Sequence, residues 1–207
     1  MHPNPAFRRT DIMRSCAFAN ERSFGVLTIN ATPYPLSSHV PFLLSEDFST
    51  VSGHLVRSNP IVSVLEGETQ RVMLVVSGPD GYISPDWYGQ DDQVPTWNYV
   101  AVHLKGVLTL KPADTLGQHL DELSAQFESR LPGKAPWTRD KMTPDVLARM
   151  MAAIVPFEIE LHEVDATWKL NQNKDDSARL AAADAVASSM IGHELGYLAA
   201  LMKDPPS

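Results

Sequence analysis

The segment spanning residues 78–106 constrains this chain more than any other part of its sequence. It reads GPDGYISPDWYGQDDQVPTWNYVAVHLKG and contains two Trp, three Tyr and three Pro. Aromatic rings held between prolines form a rigid, flat and half-polar surface. Such a surface suits a planar ligand. From residue 100 onward the segment alternates between apolar and polar residues, which predicts a strand with one buried and one outer face.

The rest of the apolar pattern predicts a β-barrel with peripheral helices. The strands follow one another at short spacing, in a hairpin-rich order that favours antiparallel pairing over βαβ units. Two helices are expected between the last two strands. The predicted strands cover residues 24–30, 36–44, 50–56, 70–77, 97–110 and 157–164, the helices cover residues 12–19, 114–130, 143–153 and 177–202, a loop covers residues 78–93, and Gly106 is predicted to mark a bulge or bend.

Composition limits the class of protein and its partners. The 207 residues carry a formal net charge of −8, which argues against broad, sequence-independent binding of nucleic acid. The single Cys16 can form neither an internal disulfide nor a paired-cysteine zinc site, so a reducing cytoplasm is expected. No stretch approaches the roughly 18 apolar residues of a membrane span. We therefore expect one cytoplasmic protein core, without a metal site or a membrane partner.

Two segments combine polar side chains with predicted strands 36–44 and 50–56. In GHLVRSNP, the guanidinium of Arg57 and the hydroxyl of Ser58 form a suitable phosphate clamp, whereas the alternative is a turn closed by Arg57 and Asn59. In SSHVPFLL, His39 can stack on a ring or donate a hydrogen bond, and the alternative is a structural histidine.

Two further segments suit a flat ligand with polar edges. In VPTWNY, Trp97 and Tyr99 fall on one strand face and Asn98 on the other, where its amide can pair with a ring edge. The alternative places Trp97 and Tyr99 in the core. In WKLNQN, Lys169 supplies a point charge followed by amides, and the alternative is a turn of self-bonded amide side chains.

These segments together resemble one family, the PaiB-like FMN-binding negative transcriptional regulators of bacteria, within the flavin-binding split-barrel superfamily. The resemblance runs over about residues 1–175. It rests on the motifs HPNPAF, SSHVPFLL, GHLVRSNP, GPDGYISPDWY, VPTWNYVAVHLKG, the PW at 136–137 and WKLNQN. YISPDWY followed by VPTWNY is its most specific part.

The resemblance implies a mainly β (α+β) fold, a six-stranded antiparallel split β-barrel that forms a homodimer with FMN at the subunit interface. It implies a domain over residues 1–175, followed by an Ala-rich helix over 176–207 that packs on the barrel or on the partner subunit. The expected FMN contacts are His39, Val40, Pro41, Phe42, His54, Arg57, Ser58, Asn59, Trp97, Asn98, Lys169, Gln172 and Asn173.

Three functions remain open from the sequence. The first is an FMN-binding negative transcriptional regulator with a DNA or protein partner, although no DNA-reading element stands out. The second is an FMN-dependent oxidoreductase acting on a small substrate, although no catalytic acid or base stands out. The third is a haem-binding split barrel in which His39, His54 or His103 is the axial ligand.

Overall fold

A computed structural model describes residues 1–65 and 68–206. Short 3-10 turns occur at Pro5–Phe7, Pro85–Tyr88, Ala113–Thr115 and Arg139–Lys141. The longer elements are, in chain order, α1 (Ile12–Arg22), β1 (Phe24–Ile29), β2 (Leu36–Leu44), β3 (Thr50–Val56), α2 (Pro60–Leu65), β4 (Gln70–Ile83), β5 (Thr96–Leu110), α3 (Leu116–Glu128), α4 (Pro144–Ala152), β6 (Ile154–Lys169), α5 (Asp176–Ala187), β7 (Gly192–His193) and α6 (Leu195–Lys203).

Six strands form a closed antiparallel barrel, as predicted. Their order is β1-β2-β3-β6-β5-β4, and pairing between β1 and β4 closes the barrel, while β7 adds to β4 outside it. Alternation explains the fold, because buried and less buried residues alternate along most of β3 and β5. On β5, Val100, Val102 and Leu104 are buried, as expected from the sequence.

Glycine and proline made β4 appear shorter in the sequence than it is. The predicted loop over 78–93 is wrong for residues 78–83, because β4 continues to Ile83. A Cβ on Gly78 would lie 2.6 Å from Phe18 Cζ, so this glycine permits close packing within the strand. Gly106 likewise lies within the continuous β5, where a Cβ would lie 2.0 Å from the carbonyl oxygen of Glu160. Gly106 therefore allows β5 to lie close to the main chain of Glu160 on β6.

Helix α2 and the C-terminal segment also differ from the expectation. Helix α2, which is not among the predicted helices, begins at Pro60. The single helix predicted over 177–202 is wrong, because α5 and α6 are separated by residues 188–194. Within that interval Gly192 has a φ of 136° and pairs with Gly81 of β4. The domain boundaries at 175 and 176 stay a prediction, and Ser207 lies outside the described residues.

The chain divides into two compact units, each with its own packed residues. One contains Met1–Ala19, Val76–His103 and the chain from Val164 onward, and the other contains Asn20–Val75 and Leu104–Glu163. In the first unit, the fully buried Trp168 meets Phe18 edge-on at 5.2 Å between ring centroids and donates from Nε1 to Ser15 Oγ at 3.1 Å. In the second unit, the fully buried side chains include Leu27, Phe42, Leu55, Leu74, Leu104 and Phe157.

Candidate functional site

Strands β2 and β3 and the turn after β3 carry eight of the predicted contacts, which we call the β2–β3 cluster: His39, Val40, Pro41, Phe42, His54, Arg57, Ser58 and Asn59. The two strands pair antiparallel, with Phe42 opposite Gly53. Strand alternation turns the side chains of Val40 and Phe42 into the core. Val40 is 2% exposed and Phe42 0%, so neither residue offers accessible surface for the predicted contact.

Arg57 is anchored through one edge of its guanidinium. Its Nε donates to the carbonyl oxygen of Ala152 at 2.9 Å, and its Nη2 donates to that of Ile154 at 3.2 Å. Its backbone N–H donates to the carbonyl oxygen of Ala153 at 2.8 Å. These carbonyls belong to the junction between α4 and β6, where the end of a helix leaves acceptors without helical partners. Arg57 is nevertheless exposed, and Nη1 has no partner within residues 1–65 and 68–206.

Asn59 closes the turn after β3, as the alternative interpretation of this segment held. Its Oδ1 accepts from the backbone N–H of Ile61 at 3.0 Å, and its Nδ2 donates to Ser38 Oγ at 3.1 Å. Both ends of the amide thus connect α2 to β2, which leaves little capacity for a ligand. Ser58, which follows the anchored Arg57 in the sequence, is exposed.

His39 lies on the outer face of β2, as expected from its alternation with buried Val40. Its ring stacks on that of Phe24, with 6.1 Å between centroids and an interplanar angle of 28°. Both side chains are exposed, so the stacked pair forms a flat aromatic surface on the second unit. This geometry fits the ring-stacking interpretation of His39.

His54 has a partner that the sequence did not reveal. Its Nδ1 lies 3.2 Å from Nε2 of His119 on α3, within hydrogen-bond distance. His119 is 7% exposed, and burial, followed by the neighbouring His54, lowers its pKa to about 4, while Glu122 opposes that shift. Burial also lowers the pKa of His54. The i, i+3, i+7 spacing of Leu116, His119 and Leu123 was the available signal for a buried His119.

The remaining predicted contacts lie in the first unit, and we call them the 97–173 set: Trp97, Asn98, Lys169, Gln172 and Asn173. Trp97 is 46% exposed, and its ring meets that of Tyr82 edge-on at 6.3 Å. The alternative that places Trp97 in the core is therefore wrong, whereas the interpretation of Trp97 as an accessible flat ring fits.

Asn98 points in the opposite direction and is fully buried. Its Nδ2 donates to Sδ of Met202 on α6 at 3.4 Å, and its Oδ1 has no partner in the described part of the chain. The side-chain contact predicted for Asn98 is thus covered by the fold.

Lys169 is half-buried at the end of β6. Its Nζ donates to Thr96 Oγ1 and lies 5.9 Å from the centroid of the Phe7 ring. Burial lowers the pKa of the Lys169 ammonium, because a partly dry environment disfavours its charge. An anion that approached this ammonium would offset that penalty.

The amides after Lys169 mostly close their own turn. Gln172 Oε1 accepts from the backbone N–H of Leu170 at 2.8 Å, and its Nε2 donates to the carbonyl oxygen of Trp168. Asn171 has a φ of 64°, and its Oδ1 accepts from the hydroxyl of Tyr88 at 3.5 Å. Asn173 is exposed. The self-bonded turn is thus the better description of Gln172, whereas Asn173 stays accessible.

Neither a group of metal-ligating side chains nor a membrane-spanning helix occurs among the described residues. No group of three or more His, Cys, Asp or Glu side chains among residues 1–65 and 68–206 is arranged to hold a metal ion. In the same residues, no helix has the length and apolar character required to cross a bilayer.

Comparison with known proteins identifies the family. The sequence model of the family described as "Putative FMN-binding domain" matches residues 1–163. The protease synthase and sporulation protein PAI 2 of Bacillus subtilis (strain 168) is 31% identical over 173 residues, which cover 83% of this chain and 82% of that protein. The chain belongs to this FMN-binding domain family, and the resemblance to PaiB-like proteins is confirmed. FMN is accordingly its cofactor.

Solved structures agree on the fold. The FAD and heme binding protein from Mycobacterium smegmatis matches with a TM-score of 0.58 and 14% identity, over 89% of this chain and 82% of that chain. The flavocytochrome Anf3 from Azotobacter vinelandii matches with a TM-score of 0.58 and 15% identity, over 81% of this chain and 72% of that chain. At these identities the likeness establishes a shared fold alone.

The accessible residues fit FMN chemically. A phosphate requires a cation with free donors, and Arg57 offers an anchored guanidinium with Nη1 free among the described residues. A flavin ring requires a flat apolar surface, and exposed Trp97 supplies one, as does the stacked pair of His39 and Phe24.

Proposed function

We propose that this protein is an FMN-binding negative regulator of transcription of the PaiB type. Its family membership and its 31% identity to a protein named for protease synthesis and sporulation support this function. Bound FMN would supply electron-transfer chemistry or act as the sensed ligand. The regulatory surface would contact DNA or a protein partner, and the net charge of −8 favours a protein partner.

The anchored guanidinium of Arg57 is the main reason for assigning the FMN phosphate to particular residues. A chain with a net charge of −8 repels a phosphate dianion unless a local cation offsets that repulsion. Arg57 is held by two main-chain carbonyls, so little side-chain entropy is lost when it binds an anion. We assign the phosphate to Arg57 and Ser58.

The other accessible residues are proposed as contacts separately for each unit. In the second unit, the accessible side chains of His39, Pro41 and His54 line a surface for the ring. In the first unit, Trp97 offers a ring surface, Lys169 a charge and Asn173 an amide. We further propose that the protein is a homodimer with FMN at its subunit interface, which sedimentation analysis with and without FMN would test.

Titration with FMN, followed by flavin fluorescence and by absorbance, tests the phosphate assignment. Arg57→Ala should weaken FMN binding at least about tenfold, because a charge-assisted hydrogen bond contributes roughly 1.5–3 kcal/mol. Exposed Arg149→Ala on α4 is the matched control and should bind like the wild type. Because Arg57 also bonds two carbonyls, the melting temperature of each apoprotein is measured. A destabilised Arg57→Ala with wild-type FMN affinity would assign Arg57 to structure alone.

The regulatory function has a separate test. Transcripts are compared between cells that lack this protein and cells that express the wild type or Arg57→Ala. Loss of the protein should raise the transcripts of its targets, and the wild type should repress them again. Unchanged transcripts, combined with anaerobic bleaching of the bound flavin by a nicotinamide, would favour the oxidoreductase instead. A Soret band in the purified protein would favour the haem alternative.

A further inference from the structure

The hydrogen bond between His54 and His119 has one ring as donor and the other as acceptor. Nδ1 of His54 and Nε2 of His119 lie 3.2 Å apart, and the rings are nearly perpendicular, at 70°. Two neutral imidazoles can share such a contact in only two ways, because one nitrogen must carry the proton and the other must accept it. Burial lowers the pKa of both rings, so both are neutral near pH 7.

The far side of the His119 ring separates the two arrangements. Nδ1 of His119 is buried and has no hydrogen-bond partner within residues 1–65 and 68–206. If Nε2 accepted the bond from His54, this Nδ1 would carry a buried N–H without an acceptor, and orphaned buried N–H groups are rare in proteins. If Nε2 donates, the orphaned atom is instead an unprotonated ring nitrogen, an acceptor. Buried acceptors without a partner are less rare in proteins than buried N–H groups without one, which favours the second arrangement.

Donation from His119 fixes the proton of His54 as well. With Nδ1 of His54 accepting, the single proton of the neutral ring must lie on Nε2. His54 is half-buried on the less buried face of β3, between inward-facing Gly53 and Leu55. Its Nε2 has no partner among the residues that the structure describes. This N–H is therefore available to a ligand.

We propose that His119 is a positioning residue that holds His54 as the Nε2–H tautomer, so that β3 presents a hydrogen-bond donor to an acceptor oxygen of FMN. The tautomer follows from the histidine pair alone, whereas the bond to FMN rests on the proposed function. FMN has three kinds of acceptor oxygen: those of its phosphate, the hydroxyls of its ribityl chain and the carbonyls of its ring. Riboflavin, which lacks the phosphate, separates the first kind from the other two.

Nitrogen NMR of 15N-histidine-labelled protein tests the tautomer directly. His54 should show a protonated Nε2 and an unprotonated Nδ1, and a protonated Nδ1 at His54 would overturn the proposal. His119→Leu should give a mixture of both tautomers at His54. His119→Gln places an amide donor near the position of the ring Nε2 and should restore the wild-type pattern. A merely structural role of His119 would not produce this rescue.

Titrations with FMN and riboflavin test the ligand contact. His54→Phe loses the hydrogen bond and should weaken FMN binding about fivefold. His119→Leu, in which part of His54 keeps its Nε2 proton, should weaken it only about twofold, and His119→Gln should bind like the wild type. Loss of a contact to the phosphate would weaken only FMN binding, whereas loss of a contact to the ring or to the ribityl chain would weaken riboflavin binding equally. Wild-type affinity in both weakened variants would overturn the bond to FMN. Failure of the wild type to bind FMN would instead overturn the proposed function, while the tautomer test stands.

Discussion

The β2–β3 cluster and residues 168–173 differ in what their polar side chains bond. Both segments were predicted to contact the cofactor. In the β2–β3 cluster, Arg57 bonds main-chain carbonyls through one edge of its guanidinium, and the side chain stays exposed. In residues 168–173, the amide of Gln172 bonds main-chain groups at both of its ends, and the amide of Asn171 bonds Tyr88 through its oxygen. A polar motif is thus available to a ligand only where local backbone groups leave donors free.

The largest expected effect concerns the rigidity of β3 beneath His54. A Cβ on Gly53 would lie 2.4 Å from Cζ of the buried Phe157 ring. Gly53→Ala should therefore lower the free energy of unfolding by about 3 kcal/mol, as overpacked cores do. Chemical denaturation measures this loss. Gly196→Ala is the control, since a Cβ there meets nothing within 4 Å and should leave stability unchanged or slightly raised. Equal stability of both variants would show that β3 and Phe157 can move apart at little cost, which would contradict the overpacking argument.

Acid should destabilise the second unit through the histidine pair. The pKa of His119 is about 4 in the folded protein against 6.5 for the free group, so the unfolded state binds more protons between these values. The contribution of neutral His119 to the free energy of unfolding is fully present above pH 6.5. It decreases by up to about 3 kcal/mol as the pH falls to 4. His119→Gln should remove most of this dependence, and the exposed His162→Gln should not. An unchanged pH profile in His119→Gln would contradict the burial argument.

Residues 168–173 should respond to substitution mainly in stability. Asn171→Ala loses the bond from Tyr88 and places a Cβ-bearing residue without a stabilising side-chain amide at a φ of 64°, so we expect a loss of about 2 kcal/mol. Asn171→Gly adopts that φ without strain and should lose about 1 kcal/mol. Thermal melts measure both losses. Weaker FMN binding by Asn171→Gly at unchanged stability would show that this segment contacts the ligand after all.

The barrel could be predicted from the sequence because strand alternation is a local pattern. The extension of β4 through Gly78 could not, since this glycine fits its position only because Phe18, sixty residues earlier, packs against it. Alternation placed Asn98 on the same face as buried Val100, yet the hydrogen bond from Asn98 to Met202 of α6 joins residues that are far apart in the sequence. His54 was predicted as a contact, but its partner His119 is 65 residues away in the sequence. What sequence patterns missed are contacts between distant segments.

The smallest expected effect concerns Lys169, where the contrast between the two segments is least sharp. Its ammonium already donates to Thr96, so two of its three donors are left for an anion. Lys169→Met should weaken FMN binding about threefold, less than Arg57→Ala, because a half-buried point charge gains less from a phosphate than an anchored guanidinium.

The pH dependence of FMN binding identifies the contribution of Lys169. Burial lowers the pKa of its ammonium below the usual 10.5, so Lys169 loses its charge at a lower pH than an exposed lysine. FMN affinity should therefore decrease as the pH rises through that lowered pKa. Lys169→Arg, which keeps its charge, should bind FMN without this decrease, and Lys203→Arg, an exposed lysine on α6, should behave like the wild type. If wild type and Lys169→Arg show the same alkaline profile, Lys169 belongs with Gln172 among the residues that serve the fold alone.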